Sequence, residues 1–190
     1  MRIIAGKYKG KVLKEFKGQD IRPTSDRARQ ALFNILQNKV YGSIFYDAFS
    51  GTGGVGIEAL SRGAERVVFT DVDKKSIEII KANLLSVKES DKEVFQCSAV
   101  DYLSRTSLKF DIIFLDPPYA SEYGKLALEI IAKRNLLQDD GIVVFEHKTG
   151  DNCVIDGLIL TDTRKYGICE FSFYRMEKWK NVFLLDLSIR

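Results

Sequence analysis

The tetrapeptide Asp116-Pro117-Pro118-Tyr119 combines residue types that could hold a planar amine for chemistry. Two consecutive prolines fix φ and donate no backbone hydrogen bond, so the loop is stiff and its carbonyl oxygens are free to accept from an –NH2 group. Asp116 would be a second acceptor, and Tyr119 offers an aromatic face on which a nucleic-acid base could stack. We predict that these four residues are catalytic, although a proline-rich turn beside a buried tyrosine would have the same sequence.

The chemistry that suits such a loop is methyl transfer to the exocyclic amine of a base. That amine is a weak nucleophile, because its lone pair is conjugated with the ring. Holding its two N–H groups between Asp116 and a proline carbonyl would direct the lone pair at the methyl group of a sulfonium donor. Positioning of this kind can contribute about 7–11 kcal/mol, and Asp116 would also stabilise the positive charge that develops on nitrogen.

A glycine-rich turn upstream could bind the nucleotide part of a cofactor. Gly51, Gly53 and Gly56 follow an apolar run and open a helical segment, and glycine allows both a tight turn and close approach of a ligand to the backbone. Asp71, 20 residues after Gly51, ends the next apolar run and could accept hydrogen bonds from both ribose hydroxyls. We expect Asp73 to cap the helix that follows.

The spacing of these glycines does not identify the ligand, because it also fits the dinucleotide fingerprint and NAD stays a candidate. Asp47, just before the turn, favours S-adenosylmethionine (SAM) instead. A carboxylate there suits the cationic ammonium of that ligand and does not suit a pyrophosphate. Asp47 could alternatively bridge within the turn without touching a ligand.

The segments that must position these residues alternate between apolar runs and helical periodicity from residue 44 onward. This pattern indicates an α/β fold with a mostly parallel sheet covered on both faces. Strands are predicted at 44–49, 66–70, 93–97, 110–115 and 141–145, helices at 54–62, 73–87 and 125–133, and a final antiparallel pair at 158–166 and 169–174. The loops that carry the candidate residues then follow the carboxyl ends of the strands, where open sheets of this class bind ligands.

Residues 1–40 differ from the rest in charge, since they carry ten of the 29 Lys and Arg residues but three of the 26 Asp and Glu residues. Such a basic extension predicts a polyanionic partner, although a solvated surface would have the same composition. We expect a hairpin around residues 6–10 and then a helix capped by Thr24 or Ser25. The chain is therefore divided into an RNA-facing extension, 1–40, and a methyltransferase domain, 41–190.

Composition limits the class of protein. With 190 residues, of which 45% are hydrophobic and 29% charged, the chain fits one globular domain. Apolar stretches stay short of the roughly 18 residues of a membrane span, and the first residues are unlike a secretory leader, so we expect a cytoplasmic protein. Cys97, Cys153 and Cys169 have neither a disulfide nor a zinc spacing, so we expect reduced thiols and no metal.

Together these motifs resemble the amino-methyltransferases with an [Asn/Asp/Ser]-Pro-Pro-aromatic sequence, and more narrowly the bacterial small-subunit rRNA guanine-N2 methyltransferases of RsmD type. The resemblance spans nearly the whole chain. Beyond the turn and the tetrapeptide, the matching segments are Arg2-Ile-Ile-Ala-Gly6, Arg22-Pro-Thr-Ser-Asp-Arg27, Gly56-Ile-Glu58-Ala-Leu-Ser-Arg-Gly-Ala64, Asn83-Leu84 and Tyr166-Gly167.

The resemblance implies a Rossmann-like class I SAM-dependent methyltransferase fold. Its seven-stranded, mostly parallel sheet would have an antiparallel last strand and would follow a short N-terminal β-hairpin and helix. The resemblance also implies SAM as cofactor and guanine N2 of 16S rRNA as acceptor, in the small ribosomal subunit or an assembly intermediate. We expect the protein to act as a monomer.

The resemblance extends to individual site residues. Ser98 and Ala99 stand where the family often has an Asp or Asn that contacts the adenine amine. The predicted cofactor contacts are Asp47, Phe49, Gly51, Thr52, Gly53, Gly56, Asp71, Val72, Ser98, Ala99 and Asp116. The predicted RNA contacts are Lys7, Lys9, Lys11, Arg22, Pro23, Thr24 and Arg27.

Other functions stay open on sequence alone. The tetrapeptide suits any exocyclic amine, so a DNA adenine-N6 or cytosine-N4 methyltransferase is the first alternative. An NAD-dependent oxidoreductase would leave the tetrapeptide unexplained, and a non-catalytic RNA-binding or ribosome assembly factor would not need Asp116. His147, the one histidine of the chain, is expected to have a structural role.

Overall fold

The structure is a computed structural model that describes residues 1–16, 26–91, 93–118, 121–150, 153–167 and 169–177. Its helices are α1 Asp26–Leu36, α2 Gly54–Ser61, α3 Lys74–Ser86, α4 Ala99–Arg105 and α5 Tyr123–Arg134, with a short 3-10 turn at Gln37–Lys39. Its strands are β1 Ile44–Asp47, β2 Arg66–Asp71, β3 Val94–Gln96, β4 Phe110–Leu115, β5 Leu137–Lys148, β6 Leu158–Tyr166 and β7 Cys169–Met176.

These seven strands form one sheet in the order β3-β2-β1-β4-β5-β7-β6. The first five strands in that order pair in parallel, whereas β7 is antiparallel to both β5 and β6. The predicted seven-stranded, mostly parallel sheet with an antiparallel last strand is confirmed. The strand order reverses between β1 and β4, and sheets of this kind bind ligands outside the carboxyl ends of the strands at that point.

Both faces of the central strands are buried, which explains why their sequences are nearly continuous apolar runs. Phe45, Phe69 and Phe114 pack with residues of α1, α2 and α3 in a first core. Tyr46 and Ile113 point to the opposite face and pack with residues of α4 and α5 in a second core. The sheet is therefore held between two helical layers, and the loops at the strand ends carry the polar residues.

Residues 1–16, termed the arm below, form a hairpin that is less regular than predicted. A single antiparallel bridge joins its two sides, and the N–H groups of Ile3 and Leu13 donate to carbonyls across the hairpin. The turn between them bends onto α2, where the Lys7 N–H donates to the Ser61 carbonyl at 2.7 Å. Ile3 and Leu13 belong to the first core, so apolar burial ties this basic segment to the sheet domain.

Helix α4 lies in a stretch where the periodicity predicts no helix. Of its seven residues, Ala99 and Leu103 are buried, so its apolar face is too narrow to give a clear period. Ser98 begins the helix, because its hydroxyl accepts from the Asp101 N–H at 3.0 Å and donates to the Asp101 carboxylate at 2.7 Å. The helices of the described ranges include none that is long and apolar enough to cross a membrane.

Candidate active site

Three of the predicted carboxylates follow neighbouring strands at the carboxyl edge of the sheet. Asp47 ends β1, Asp71 ends β2, and Asp116 comes directly after β4. Strand β1 lies between the other two and is parallel to both, so the three strand ends meet along one edge. The structure thus brings the glycine-rich turn and the Asp116-Pro117-Pro118 loop to the same edge of the sheet.

Residues 48–53 between β1 and α2 are termed the cofactor turn after their predicted role. The glycines of this turn and of the start of α2 have different functions in the fold. Gly51 and Gly53 have φ angles of 54° and 78°, left-handed conformations that a side chain disfavours. A Cβ on Gly51 would meet no atom of the described residues within 4 Å, so that face of the turn is open to a ligand. A Cβ on Gly56 would strike the Phe69 ring, so glycine there lets α2 pack directly against β2. Nucleotide-binding turns divide the roles of their glycines in this way.

Asp47 lies beneath this turn and is 2% exposed. One of its carboxylate oxygens accepts from the Gly56 N–H at 2.9 Å. The pKa of Asp47 is raised to about 7, mainly by burial and to a smaller extent by the charge of Asp71, while the Gly56 hydrogen bond lowers it. The carboxyl group is therefore close to its midpoint at neutral pH, and a cation placed nearby would favour the ionised form. The bridge within the turn is present, and contact with a cofactor stays a prediction.

Asp71 is held in a fixed orientation by two backbone groups. Its carboxylate accepts from the Gly51 N–H at 2.9 Å through one oxygen and from the Asp73 N–H at 2.8 Å through the other. Each oxygen keeps a second lone pair, which suits the adjacent hydroxyls of a ribose. Val72 beside it is exposed. Asp73 is the N-cap of α3 and accepts from the Lys75 N–H at 3.1 Å, which confirms that prediction.

The other predicted cofactor contacts occupy different environments. Phe49 is half-buried against the second core, and the Thr52 carbonyl accepts from the Asn83 side chain at 3.0 Å. Ala99 is buried, while the Ser98 hydroxyl is used to cap α4. A cap of this kind explains a serine at this position without a ligand, so the contact with adenine stays a prediction.

The loop of Asp116, Pro117 and Pro118 differs from the expectation that its carbonyl oxygens are free. The Pro118 carbonyl already accepts from the Ser121 N–H at 3.2 Å and from the Ser121 hydroxyl at 2.7 Å. No donor within the described ranges reaches the Pro117 carbonyl, which makes it the better candidate acceptor for a substrate amine. Asp116 is half-buried, and Tyr119 lies outside the described residues.

Close packing against α5 supports this loop. A Cβ on Gly124 would collide with the Phe145 ring and would lie 3.0 Å from the Pro117 ring. Glycine at the start of α5 therefore lets the helix press directly on the loop. A pocket of about 200 Å³ opens beside it, and its walls include Pro117, Pro118 and Phe145.

His147 also borders this pocket, and its contacts favour a structural role. The ring is 4% exposed. Its Nε2 lies 2.8 Å from the Ser172 hydroxyl, and its Nδ1 lies 2.8 Å from the Lys148 carbonyl oxygen. Both ring nitrogens are thus occupied, and the contact with Ser172 joins β5 to β7.

The predicted RNA contacts that the structure describes have different environments. Lys9, Lys11 and Arg27 are exposed, whereas the Lys7 ammonium pairs with Glu89 at 2.7 Å. The tip of the arm contacts the end of α2 at Ser61, and α2 begins at the cofactor turn. An eight-residue helix is about 12 Å long, so the tip lies well away from that turn. Three further predictions lie outside the described residues, at Arg22, Pro23 and Thr24.

Two buried polar residues matter more to the architecture than their sequence context indicated. Glu58 is fully buried, and its carboxylate accepts from the N–H groups of Ile4 and Ala5 at 2.8 and 3.0 Å. It also accepts from Arg62 Nε at 2.8 Å. Asn83 is 1% exposed and bonds to both the arm and the cofactor turn. The resemblance includes both positions, but no local pattern could assign them partners more than 50 residues away.

Sequence comparison with known proteins matches nearly the whole chain to a single family. Residues 1–175 match the model of the family described as conserved hypothetical protein 95. The Haemophilus influenzae protein named ribosomal RNA small subunit methyltransferase D is 32% identical over 180 residues, which are 92% of this chain and 93% of the relative. The Bacillus subtilis protein YlbH, named as a candidate rRNA methyltransferase, is 35% identical over 181 residues, which are 92% of this chain and 98% of the relative.

A solved structure gives the same result. The Escherichia coli protein yhhF, described as a candidate methyltransferase, superposes with a TM-score of 0.83 and 26% sequence identity. The match covers 93% of this chain and 98% of that protein. The fold therefore has a counterpart over nearly the whole of this chain.

Proposed function

The chain belongs to the RsmD-type methyltransferase family, and from that premise we propose that it transfers a methyl group from SAM to guanine N2 in 16S rRNA. The observation that carries the proposal is that the cofactor turn and the Asp116-Pro-Pro loop follow neighbouring parallel strands at the same edge of the sheet. Relatives named as small-subunit rRNA methyltransferases support rRNA as the substrate. The guanine N2 position follows from the resemblance of the motifs.

The residues of the turn fit the proposed cofactor. Gly51 leaves an open face beside the backbone, and Asp71 presents an oriented carboxylate to a ribose. Asp47, whose pKa is about 7, can become ionised when a cationic amino group comes close. Asp71 therefore suits the ribose of SAM, and Asp47 suits its ammonium group. The pyrophosphate of NAD would instead place negative charge near the carboxyl group of Asp47.

The protein contributes position and charge to the reaction. SAM, when bound, supplies an electrophilic methyl group on a positively charged sulfur. Asp116 accepts a hydrogen bond from one N–H group of the substrate amine, and the Pro117 carbonyl accepts one from the other. The nitrogen lone pair then points away from these two acceptors and toward the cofactor turn. The carboxylate of Asp116 also stabilises the positive charge that grows on nitrogen as the new N–C bond forms and the methyl–sulfur bond breaks, leaving its electron pair on a neutral thioether. The amine then releases its proton to water.

The direct test is transfer of labelled methyl from SAM to unmethylated small-subunit particles, naked 16S rRNA and duplex DNA, followed by nucleoside analysis. N2-methylguanosine in the RNA supports the proposal. Methylated adenine or cytosine in DNA would keep the chemistry and replace the substrate. Binding of SAM without transfer to any of these acceptors would favour a non-catalytic RNA-binding role.

We expect Asp71→Ala to weaken SAM binding about 100-fold or more, because two ribose hydroxyls would each lose a hydrogen bond to a charged acceptor, which contributes about 1.5–3 kcal/mol. Isothermal titration calorimetry measures the affinity. Asp73→Ala is the matched control, since Asp73 caps α3 and bonds to Lys75. Equal SAM affinity in Asp71→Ala and the wild type would remove Asp71 from the cofactor site.

The affinity for SAM should rise with pH, because Asp47 is neutral below about pH 7 and ionised above it. Between about pH 6 and pH 7.5 we expect an increase on the order of tenfold. An α-amino group has a pKa of about 7.7–8.0, so the ligand stays cationic over that range. Calorimetry at both pH values measures the change, and Asp47→Asn should abolish it. A pH-independent affinity in the wild type would place the ammonium elsewhere.

The arm should contribute to RNA affinity through its exposed lysines. We expect the double variant Lys9→Glu, Lys11→Glu to bind 16S rRNA more weakly and to reduce the slope of log affinity against log salt concentration by roughly one for each phosphate that the arm no longer neutralises. Filter binding at several salt concentrations measures the slope. Lys133→Glu, at the last turn of α5, is the control. An unchanged slope in the double variant would show that the tip of the arm does not touch RNA.

A further inference from the structure

Asn83 joins three parts of the molecule through one side chain. It lies on α3 and is 1% exposed. Its Oδ1 accepts from the Lys14 N–H at 2.7 Å, and its Nδ2 donates to the carbonyls of Lys14 at 3.1 Å and Thr52 at 3.0 Å. Both N–H groups and the oxygen of the amide are therefore in use.

The contact with Thr52 bears on the shape of the cofactor turn. Thr52 lies between Gly51 and Gly53, both of which have positive φ, and glycines leave such a turn free to adopt other conformations. Asp71 holds the Gly51 N–H from one side, and Asn83 holds the Thr52 carbonyl from the other. The two side chains together fix the backbone that faces the proposed cofactor.

The contact with Lys14 connects the same amide to the arm. Asn83 pairs with both the N–H and the carbonyl of Lys14, as a neighbouring strand would. The same arm carries the exposed Lys9 and Lys11, which are predicted RNA contacts. RNA bound to these lysines would act on Lys14 and, through the Asn83 amide, on Thr52.

We propose that Asn83 is a positioning residue that holds the cofactor turn through Thr52 and couples it to the arm through Lys14, so that RNA binding and SAM binding strengthen each other. This inference rests on the proposed function for the identity of the two ligands. Asparagine is required because it combines two donors with one acceptor. Aspartate of the same size keeps the acceptor, loses both donors and places charge against two carbonyl oxygens.

The test compares Asn83→Asp with the wild type in calorimetric SAM titrations, with and without saturating 16S rRNA. In the wild type we expect RNA to increase SAM affinity about fivefold or more, the lower end of typical couplings between sites. In Asn83→Asp we expect SAM affinity without RNA to fall about tenfold or more, and the effect of RNA to disappear. In steady state the KM for SAM should rise while kcat changes little, because Asn83 touches no reacting atom.

Two controls separate positioning from general damage. Ile131→Val, in the second core, removes a buried methylene away from the turn, so it should lower the melting temperature and leave SAM affinity unchanged. Ser61→Ala removes the hydroxyl that bonds to Ala5 and Tyr8, so it loosens the arm and should lower RNA affinity alone. Thr52 keeps its partner in both variants.

Specific outcomes overturn the inference. SAM affinity in Asn83→Asp equal to wild type, or an equal loss in Ile131→Val, shows that Asn83 does not position the turn. An RNA effect on SAM affinity that is the same in Asn83→Asp and the wild type shows that it does not couple the sites. If wild-type protein binds SAM but methylates no RNA, the proposed substrate is wrong, and the comparison of SAM affinity between Asn83→Asp and the wild type still tests the role of Asn83. Wild-type protein that binds no SAM defeats both proposals.

Discussion

Asp116→Ala should lower kcat on the order of 100- to 1,000-fold, the loss that follows removal of one preorganised group facing the charge of a transition state. The carboxylate follows β4 next to the cofactor turn, and the adjoining loop is held by the Ser121 bonds and by Gly124. Alanine therefore removes the acceptor without freeing the loop. The affinity for SAM should change little, since Asp71 and the Gly51 backbone are untouched. Single-turnover methyl transfer and calorimetry measure the two quantities.

Asp116→Asn separates the two contributions of this side chain. Asparagine keeps an oxygen acceptor of the same length but removes the negative charge. The related motif admits Asn, Asp or Ser at this position, so we expect Asn to retain far more activity than Ala. Equal rates for Ala and the wild type would exclude Asp116 from the mechanism. Equal rates for Asn and Ala would show that charge, and not the position of the acceptor, carries the effect.

Glu58→Ala should lower the free energy of unfolding by about 3–5 kcal/mol, the cost of breaking a buried charged cluster by removing one member. Glu58 is fully buried, accepts from two N–H groups of the arm and pairs with Arg62 at 2.8 Å. Arg29, which is 1% exposed, lies 4.0 Å from the same carboxylate. Without Glu58, the part-buried N–H groups of Ile4 and Ala5 and the Arg62 side chain would lose their carboxylate partner, while Arg29 would keep Asp26, at 2.9 Å, as an anionic partner.

Urea denaturation followed by circular dichroism measures this loss. Glu65→Ala is the matched control, because Glu65 is exposed just after α2 and should change stability little. Glu58→Gln should fall between the two, since it keeps one acceptor oxygen and loses the charge. A loss below about 1 kcal/mol in Glu58→Ala would show that the arm contributes little to the folded state.

The features that the sequence predicted are those set by short segments. Apolar runs such as Phe110–Leu115 are long and bounded by turn residues, so the strands could be placed within a few positions. Gly51 and Asp71 are local marks of a turn and of a strand end, and both lie at the expected edge. The tetrapeptide follows β4 as expected for the same reason.

The features that escaped prediction depend on partners far apart in the chain. The bonds of Asn83 and Glu58 to the arm cross 69 and 54 residues, and no periodicity encodes such pairings. The Ser121 bonds to Pro118 depend on the course of one turn, so the sequence could not show which proline carbonyl is already occupied. Helix α4 escaped because its N-cap and two buried residues are a weak local signal.

The long separation between the arm and its partners also has a consequence for synthesis. The hydrogen bonds between Lys14 and Asn83 cannot form until the 69 residues that separate them have been synthesised. Ribosomes add about 5–20 residues per second. The arm therefore spends roughly 3–14 s without its partner on α3, and longer while that helix leaves the exit tunnel. The contacts that tie the arm to the cofactor turn can thus form only after α3 has been made, well after the arm itself.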